Sequence, residues 1–229
     1  MHFKMNQVKS KDILLFSLLM ILTFIFVPIM VKDKLNQLLI HFGLSAFVAS
    51  VYVGLCIAII LVVGGYFLLV KPYHTTWSEV GFKSFSIKKV PWLLLMTIIC
   101  FGASVLSYII SVYLGAPESN TKTPILQEVD TWYSYFVVFI MAVIVSPLYE
   151  EIFYRGMIYG FLRKRINRTI SLSINAVLFS IAHWPNWNIL LLNLINGLLF
   201  GYVYEKTNSV YASFIVHGLI NLCVLLVAV

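Results

Sequence analysis

Charge is scarce in this sequence. Sixteen Lys and Arg and nine Asp and Glu make up 11% of its 229 residues, against 61% hydrophobic side chains, whereas a soluble globular domain carries about 25% charged residues. That scarcity excludes a soluble enzyme or binding module and identifies an integral membrane protein. Cysteine is also sparse: Cys56, Cys100 and Cys223 stand singly in apolar surroundings without C-x-x-C spacing, which excludes a disulfide framework and a cysteine zinc site. There is no H-E-x-x-H helix, no internal repeat, no low-complexity tract and no separate soluble stretch, so residues 1–229 read as one integral membrane domain. The net charge of +7 is spread over short clusters between apolar spans, as the positive-inside rule expects. It does not form the continuous basic stripe of a nucleic-acid binder, and no nucleic-acid partner is expected.

The apolar runs are 13–31, 35–70, 90–115, 132–162, 170–183, 189–204 and 210–229, most of them near the ~20 residues a helix needs to cross a bilayer. They predict an all-α, polytopic transmembrane bundle of seven helices, or eight if the long second run divides near Leu44, with Lys32-Asp33-Lys34 as the first turn. The first run is longer than a signal-peptide core, contains Pro28 and lacks a small-x-small cleavage site, so it reads as a retained span. The N-terminal tail, the 71–89 loop and the 163–168 loop are basic, whereas the loop holding Glu118, Lys122, Glu128 and Asp130 is acidic. Alternation therefore puts the N-terminus in the cytoplasm. The 71–89 loop interleaves Trp77, Val80, Phe82, Phe85 and Ile87 with lysines, which suits either a segment lying on an anionic membrane face or a solvated loop with aromatic anchors.

Only Glu150, Glu151 and Arg155 place formal charge inside an apolar span, at a cost of about 2.5–3.5 kcal/mol each near a helix centre. Glu151 and Arg155 stand four apart in the Glu-first order that favours pairing. Glu150 lies about 100° round the helix from Glu151 and is left facing something else. The later spans offer His183, one turn after Phe179, and His217 with Asn221, which share a helix face. Glu150, His183 and His217 each lie about 10–20 Å from the basic end of their helices at 1.5 Å per residue, so they can meet at one depth. A buried histidine is ordinarily a satisfied core residue, and a Glu-Arg cluster can be a packing knot. Two imidazoles and a carboxamide at the depth of a spare carboxylate favour a site. The short runs flanking 184–188 put that turn either within the membrane or at its interface with two Trp anchors. Gly156-x-x-x-Gly160 and Gly197-x-x-x-Gly201 fit close helix approach.

A carboxylate shielded by apolar walls is a stronger base toward water, and imidazole and carboxamide N–H groups can stabilise a tetrahedral oxyanion. No serine or cysteine is set beside a base, so the simplest nucleophile is water and the reaction class is hydrolysis of an amide bond at membrane depth. A three-ligand zinc site of Glu150, His183 and His217 is the competitor. Spacing alone leaves the choice between metal-bound and glutamate-activated water open.

Glu150-Glu151-x-x-x-Arg155, Phe179-x-x-x-His183 and His217-x-x-x-Asn221, in that order on separate helices, resemble the three motifs of the CAAX-protease and bacteriocin-processing family of intramembrane proteases, which includes the type II prenyl endopeptidases. The stretch from Asn196-Gly197 to Asn221 is also similar to its bacterial members. The resemblance covers about residues 130–225, the expected catalytic core. It implies a type II CAAX-protease-like bundle in which Glu150 and His183 activate water and His217 and Asn221 form an oxyanion hole. Glu151, Arg155 and Phe179 would support them, without a cofactor. It further implies a membrane protein or peptide as substrate, residence in a bacterial plasma membrane, and a role in peptide processing or bacteriocin self-immunity. Two other readings compete. One is a non-catalytic membrane interaction or immunity protein that keeps the polar cluster for packing. The other is a small proton-relay transporter, which the lack of an inverted repeat disfavours.

Overall fold

A computed structural model describes residues 8–118 and 129–228. Among these, seven helices of ten residues or more form an all-helical bundle without strands: α1 (Ser10–His41), α2 (Ala46–Tyr73), α3 (Ile87–Tyr113), α4 (Trp132–Arg163), α5 (Arg168–Ile181), α6 (Trp187–Thr207) and α7 (Val210–Ala228). All but α5 are long and apolar enough to span a bilayer. At ~1.5 Å per residue the 14 residues of α5 fall short of the ~30 Å hydrocarbon core.

The helix ends follow from capping chemistry. The Ser45 hydroxyl accepts the Val48 N–H at 3.2 Å and opens α2, the Asn167 side chain accepts the Ile170 N–H at 2.9 Å and opens α5, and Thr131 forms a capping box with Ser134 at the start of α4. Asn208, left-handed at φ 52°, closes α6. The first turn departs from expectation: Lys32-Asp33-Lys34 stays helical within α1, and the chain breaks at Phe42–Ser45. Lysine is a good helix former, while Gly43 takes a left-handed φ of 89°. The expected run 170–183 is likewise helical only to Ile181, so His183 sits in the turn after α5. The acidic loop falls partly at 119–128, and Lys122 and Glu128 lie outside the described residues.

The 71–89 segment is anchored at Val80 and Gly81 while most of its side chains stay exposed or half-buried. It folds a one-turn helix, Trp77–Val80, opened by a Thr76–Glu79 capping box and closed by left-handed Gly81. The Thr76 backbone N–H, helped by Lys164, holds the Glu79 carboxyl below its ordinary range. Val80 is buried; its carbonyl accepts the Tyr204 hydroxyl at 2.9 Å, and the Gly81 carbonyl accepts the Val210 N–H at 2.9 Å. The segment is thus stitched to the α6–α7 turn, with Ile87 and Trp77 left exposed. Asp12 performs a similar service for α1, accepting from Arg165 at 2.7 Å and from the Tyr73 hydroxyl.

α5 and α6 pack closely because position 197 has no side chain. A Cβ there would stand 2.9 Å from the Ala176 Cα and 3.3 Å from its carbonyl oxygen, contacts that backbone cannot relieve. Gly197→Val is expected to lower stability by about 1–3 kcal/mol through overpacking, measured as a reduced thermal midpoint in detergent. Gly160 meets no side chain from a neighbouring helix within 4 Å, so the first small-residue pair does not form the expected seam at that position.

Candidate active site

α4 builds the site, and Pro147 shapes α4. The helix runs in wide π-type turns over Ile140–Val145, returns to α geometry over Ser146–Glu150 and widens again over Glu151–Tyr159. Proline has no N–H and clashes with the carbonyl four residues back. It therefore leaves the carbonyls of Val143 and Ala142, its α-type and π-type acceptors, without their bond to position 147. α7 covers both. The Asn221 amide donates to the Ala142 carbonyl at 2.9 Å, and Gly218 lies so near Val143 that an added Cβ would be 2.7 Å from its carbonyl oxygen. Gly218→Val must push α7 away from α4. We expect a lower thermal midpoint and a wider α4–α7 gap, read as faster labelling of Glu150 by a water-soluble carboxyl reagent.

One turn deeper lie the charges. Arg155 Nη1 is 2.9 Å from Glu151 Oε1, and both side chains are fully buried. The same Glu151 oxygen is 3.0 Å from His217 Nδ1. An ionised carboxylate only accepts, so Nδ1 carries a proton and Nε2 is turned toward Glu150, whose Oε2 is 3.9 Å away. Glu151, expected to serve Arg155 alone, thus links Arg155 to His217. The Arg155 guanidinium also lies 4.4 Å from the Phe179 ring centroid and 5.2 Å from that of Phe200, and it donates to the Gly197 carbonyl at 3.3 Å.

Aromatic rings fix both imidazoles. Phe200 stacks on His217 at 4.5 Å with 23° between planes, and Phe179 packs edge-on against His217 at 5.9 Å and His183 at 5.1 Å. His183 Nδ1 lies 2.8 Å from the Phe179 carbonyl. A carbonyl can only accept, so Nδ1 donates and Nε2 is the basic nitrogen of the neutral ring. The structure therefore gathers Glu150, Glu151, Arg155, Phe179 and His217 into one cluster, joins His183 through the Phe179 ring, and places Asn221 one turn along α7. Phe200, Gly218 and Pro147 were not singled out as site residues from sequence. The signal for Pro147 was its position four and five residues after the carbonyls it abandons.

Among the described residues no group of three His, Cys, Asp or Glu side chains is placed to hold a metal ion. The Nδ1 bonds of His217 to Glu151 and of His183 to the Phe179 carbonyl are of the kind that also orients metal-ligating histidines, so they fix ring orientation and do not bear on the zinc alternative.

Above the cluster on the same two helices, Tyr135, Val138, Leu225 and Leu226 line an apolar notch of about 280 Å³. Val138 is one turn from Ala142 and Leu225 one turn from Asn221, so the notch lies about one helical turn from the α4–α7 hydrogen bond.

Residues 132–223 match the family described as type II CAAX prenyl endopeptidase Rce1-like. The chain is 31% identical over 151 residues to the UPF0177 protein YxdF of Lactococcus lactis subsp. lactis, covering 61% of this chain and 77% of that protein. It is 28% identical over 110 residues to the "Putative membrane peptidase YdiL" of Bacillus subtilis, 47% of this chain and 42% of that one. It is 30% identical over 142 residues to a UPF0177 protein from the abiGi 5' region of Lactococcus lactis subsp. cremoris, 60% of this chain and 57% of that one. No solved structure matches. The matched region runs from the start of α4 to two residues past Asn221 and so contains every residue of the cluster; these matches support a membrane peptidase in general, and the chain belongs to the Rce1-like, CAAX-protease and bacteriocin-processing family.

Proposed function

We propose that the chain is an intramembrane endopeptidase that hydrolyses a peptide bond in a membrane protein or peptide with a glutamate-activated water. The observation that carries this reading is the 3.9 Å separation of Glu150 Oε2 and His217 Nε2, with Glu151 and Arg155 already paired behind them. Two groups that far apart do not bond each other, yet both reach one water at hydrogen-bond distance. Glu150 takes the proton as water adds to the scissile carbonyl, with His183 Nε2 as the second base. The oxyanion accepts from His217, whose ring the Glu151 carboxylate orients, and from the second N–H of Asn221. Collapse of the intermediate breaks the C–N bond, and the proton held by Glu150 passes to the leaving amine.

A packing role accounts for the buried Glu151–Arg155 pair; Glu150 instead takes a hydrogen bond from Tyr149 and faces His217 with its side chain 15% exposed. The deciding experiment compares the termini of membrane proteins and secreted peptides from cells carrying wild-type or Glu150→Gln protein at equal levels. New termini seen only with the wild type support the reading, and identical termini overturn it. The apolar notch suits an extended, lipid-embedded substrate segment. Val138→Trp fills it and is expected to raise KM several-fold with kcat little changed, measured on whichever substrate the terminus comparison identifies. The bacterial relatives suit peptide processing or bacteriocin self-immunity in a plasma membrane, with the N-terminus and the basic 71–89 and 163–168 loops in the cytoplasm.

A further inference from the structure

α3 and α6 pack antiparallel along a seam that is polar despite its depth. Asn196 donates to the Ser104 hydroxyl at 2.8 Å, and Ser104 donates on to the Cys100 carbonyl at 2.8 Å. That register sets Asn193, one turn up α6, opposite Ser107, one turn up α3. Farther along, at the end of both helices, Asn188 donates to the Glu118 carbonyl at 3.3 Å. At the inner end, the residue after Asn196 is Gly197, whose carbonyl receives Arg155.

Ser104, Ser107, Asn193 and Asn196 are 1–7% exposed. The serines spend their protons on their own helix, as such residues commonly do. The amides are less settled: the Asn193 nitrogen and the Asn196 oxygen have no hydrogen-bond partner among the described residues, nor do Arg155 Nε and Glu151 Oε2 beyond them. A buried polar atom left unpaired costs about 1–3 kcal/mol. Asparagines kept only to glue two membrane helices together would bond across the interface at both ends. Two orphaned amide atoms on the seam, with Arg155 Nε and Glu151 Oε2 on α4 past its inner end, instead match the way proteins hold internal water, which bonds two to four such groups at once.

We propose that the α3–α6 seam holds a file of internal water running from the Glu118 end to the Arg155–Glu151 pair, and that this file supplies the water consumed beside Glu150. The second clause rests on the hydrolase reading; the first does not. Each hydrolysis consumes one water beside Glu150, and the seam offers a polar route of resupply from the buried side, behind Phe179 and Phe200.

Cys100 is a built-in reporter, being fully buried and four residues from Ser104 on the same face of α3. A hydroxyl-radical pulse in ¹⁸O water, applied to the full chain in detergent, oxidises a buried thiol only where water sits against it. Cys100 of the wild type is expected to incorporate ¹⁸O, Asn193→Leu to reduce that incorporation at least about fivefold, and Asn193→Ser to retain it. An unlabelled Cys100 in the wild type, which needs no variant to fold, overturns the file, as does labelling indifferent to Asn193→Leu in protein of wild-type helicity. On an identified substrate, Asn193→Leu is expected to lower kcat about five- to tenfold with KM unchanged; unchanged kcat overturns the supply role. Full cleavage by Glu150→Gln would instead overturn the hydrolase reading and leave the labelling result standing.

Discussion

Glu150→Gln is expected to lower substrate cleavage by about a thousandfold or more while the protein inserts, purifies and melts like the wild type. General-base catalysis contributes ~10²–10⁴ in rate, and a carboxamide of the same shape keeps the volume while losing the base. The neighbouring carboxylate gives the contrast. Glu151→Gln removes the counter-charge of Arg155 and leaves a neutral carboxamide oxygen in place of the carboxylate that faces both Arg155 and His217 Nδ1, so it is expected to damage both stability and rate. Purified variants assayed side by side for cleavage and thermal midpoint separate the two glutamates. Loss of activity without loss of stability belongs to Glu150 alone, and a Glu150→Gln protein as active as wild type would be incompatible with its role as base.

Arg155→Ala carries the largest expected change in stability. Removing one partner of a buried ion pair costs about 3–5 kcal/mol because the other charge is left buried and uncompensated. Here the cost includes the packing of the guanidinium against Phe179 and Phe200 and its bond to the Gly197 carbonyl. The double variant Glu151→Leu/Arg155→Leu removes both charges and is expected to recover most of that stability, since apolar replacements of buried pairs are often neutral. It is not expected to recover activity, because His217 Nδ1 has then lost the group that holds its proton. Thermal melts of the single and double variants, with cleavage measured on each, check both halves. A double variant as unstable as Arg155→Ala would show that the cluster's contribution lies outside the ion pair.

The i,i+4 spacing of Glu151 and Arg155, the apolar runs and the shared depth of Glu150 and His217 were legible in the sequence, because helix periodicity and bilayer thickness convert directly into position. The attachment of His217 to Glu151 was not, since helical spacing on α4 cannot say which of two adjacent carboxylates a residue 66 positions away will meet. The first turn was misplaced because a charged triplet looks like a loop in a hydrophobic chain, while the backbone responds to Gly43. The burial of Val80 was hidden for a related reason: a lysine-rich segment reads as surface, and only the α6–α7 turn, through Tyr204 and Val210, shows what it packs under. The role of Asn221 as a cap for the Ala142 carbonyl depends on Pro147, and it emerges only when α4 and α7 are seen side by side.

The two-helix construction has a consequence for how the protein is made. Glu151 and Arg155 belong to one helix and enter the bilayer already neutralised by each other, before α7 exists. Glu150 gains its facing imidazole, and Ala142 its amide donor, only when the last helix has left the ribosome and inserted. A chain truncated between the end of α4 and residue 217 therefore carries the Glu151–Arg155 pair but lacks the imidazole that faces Glu150.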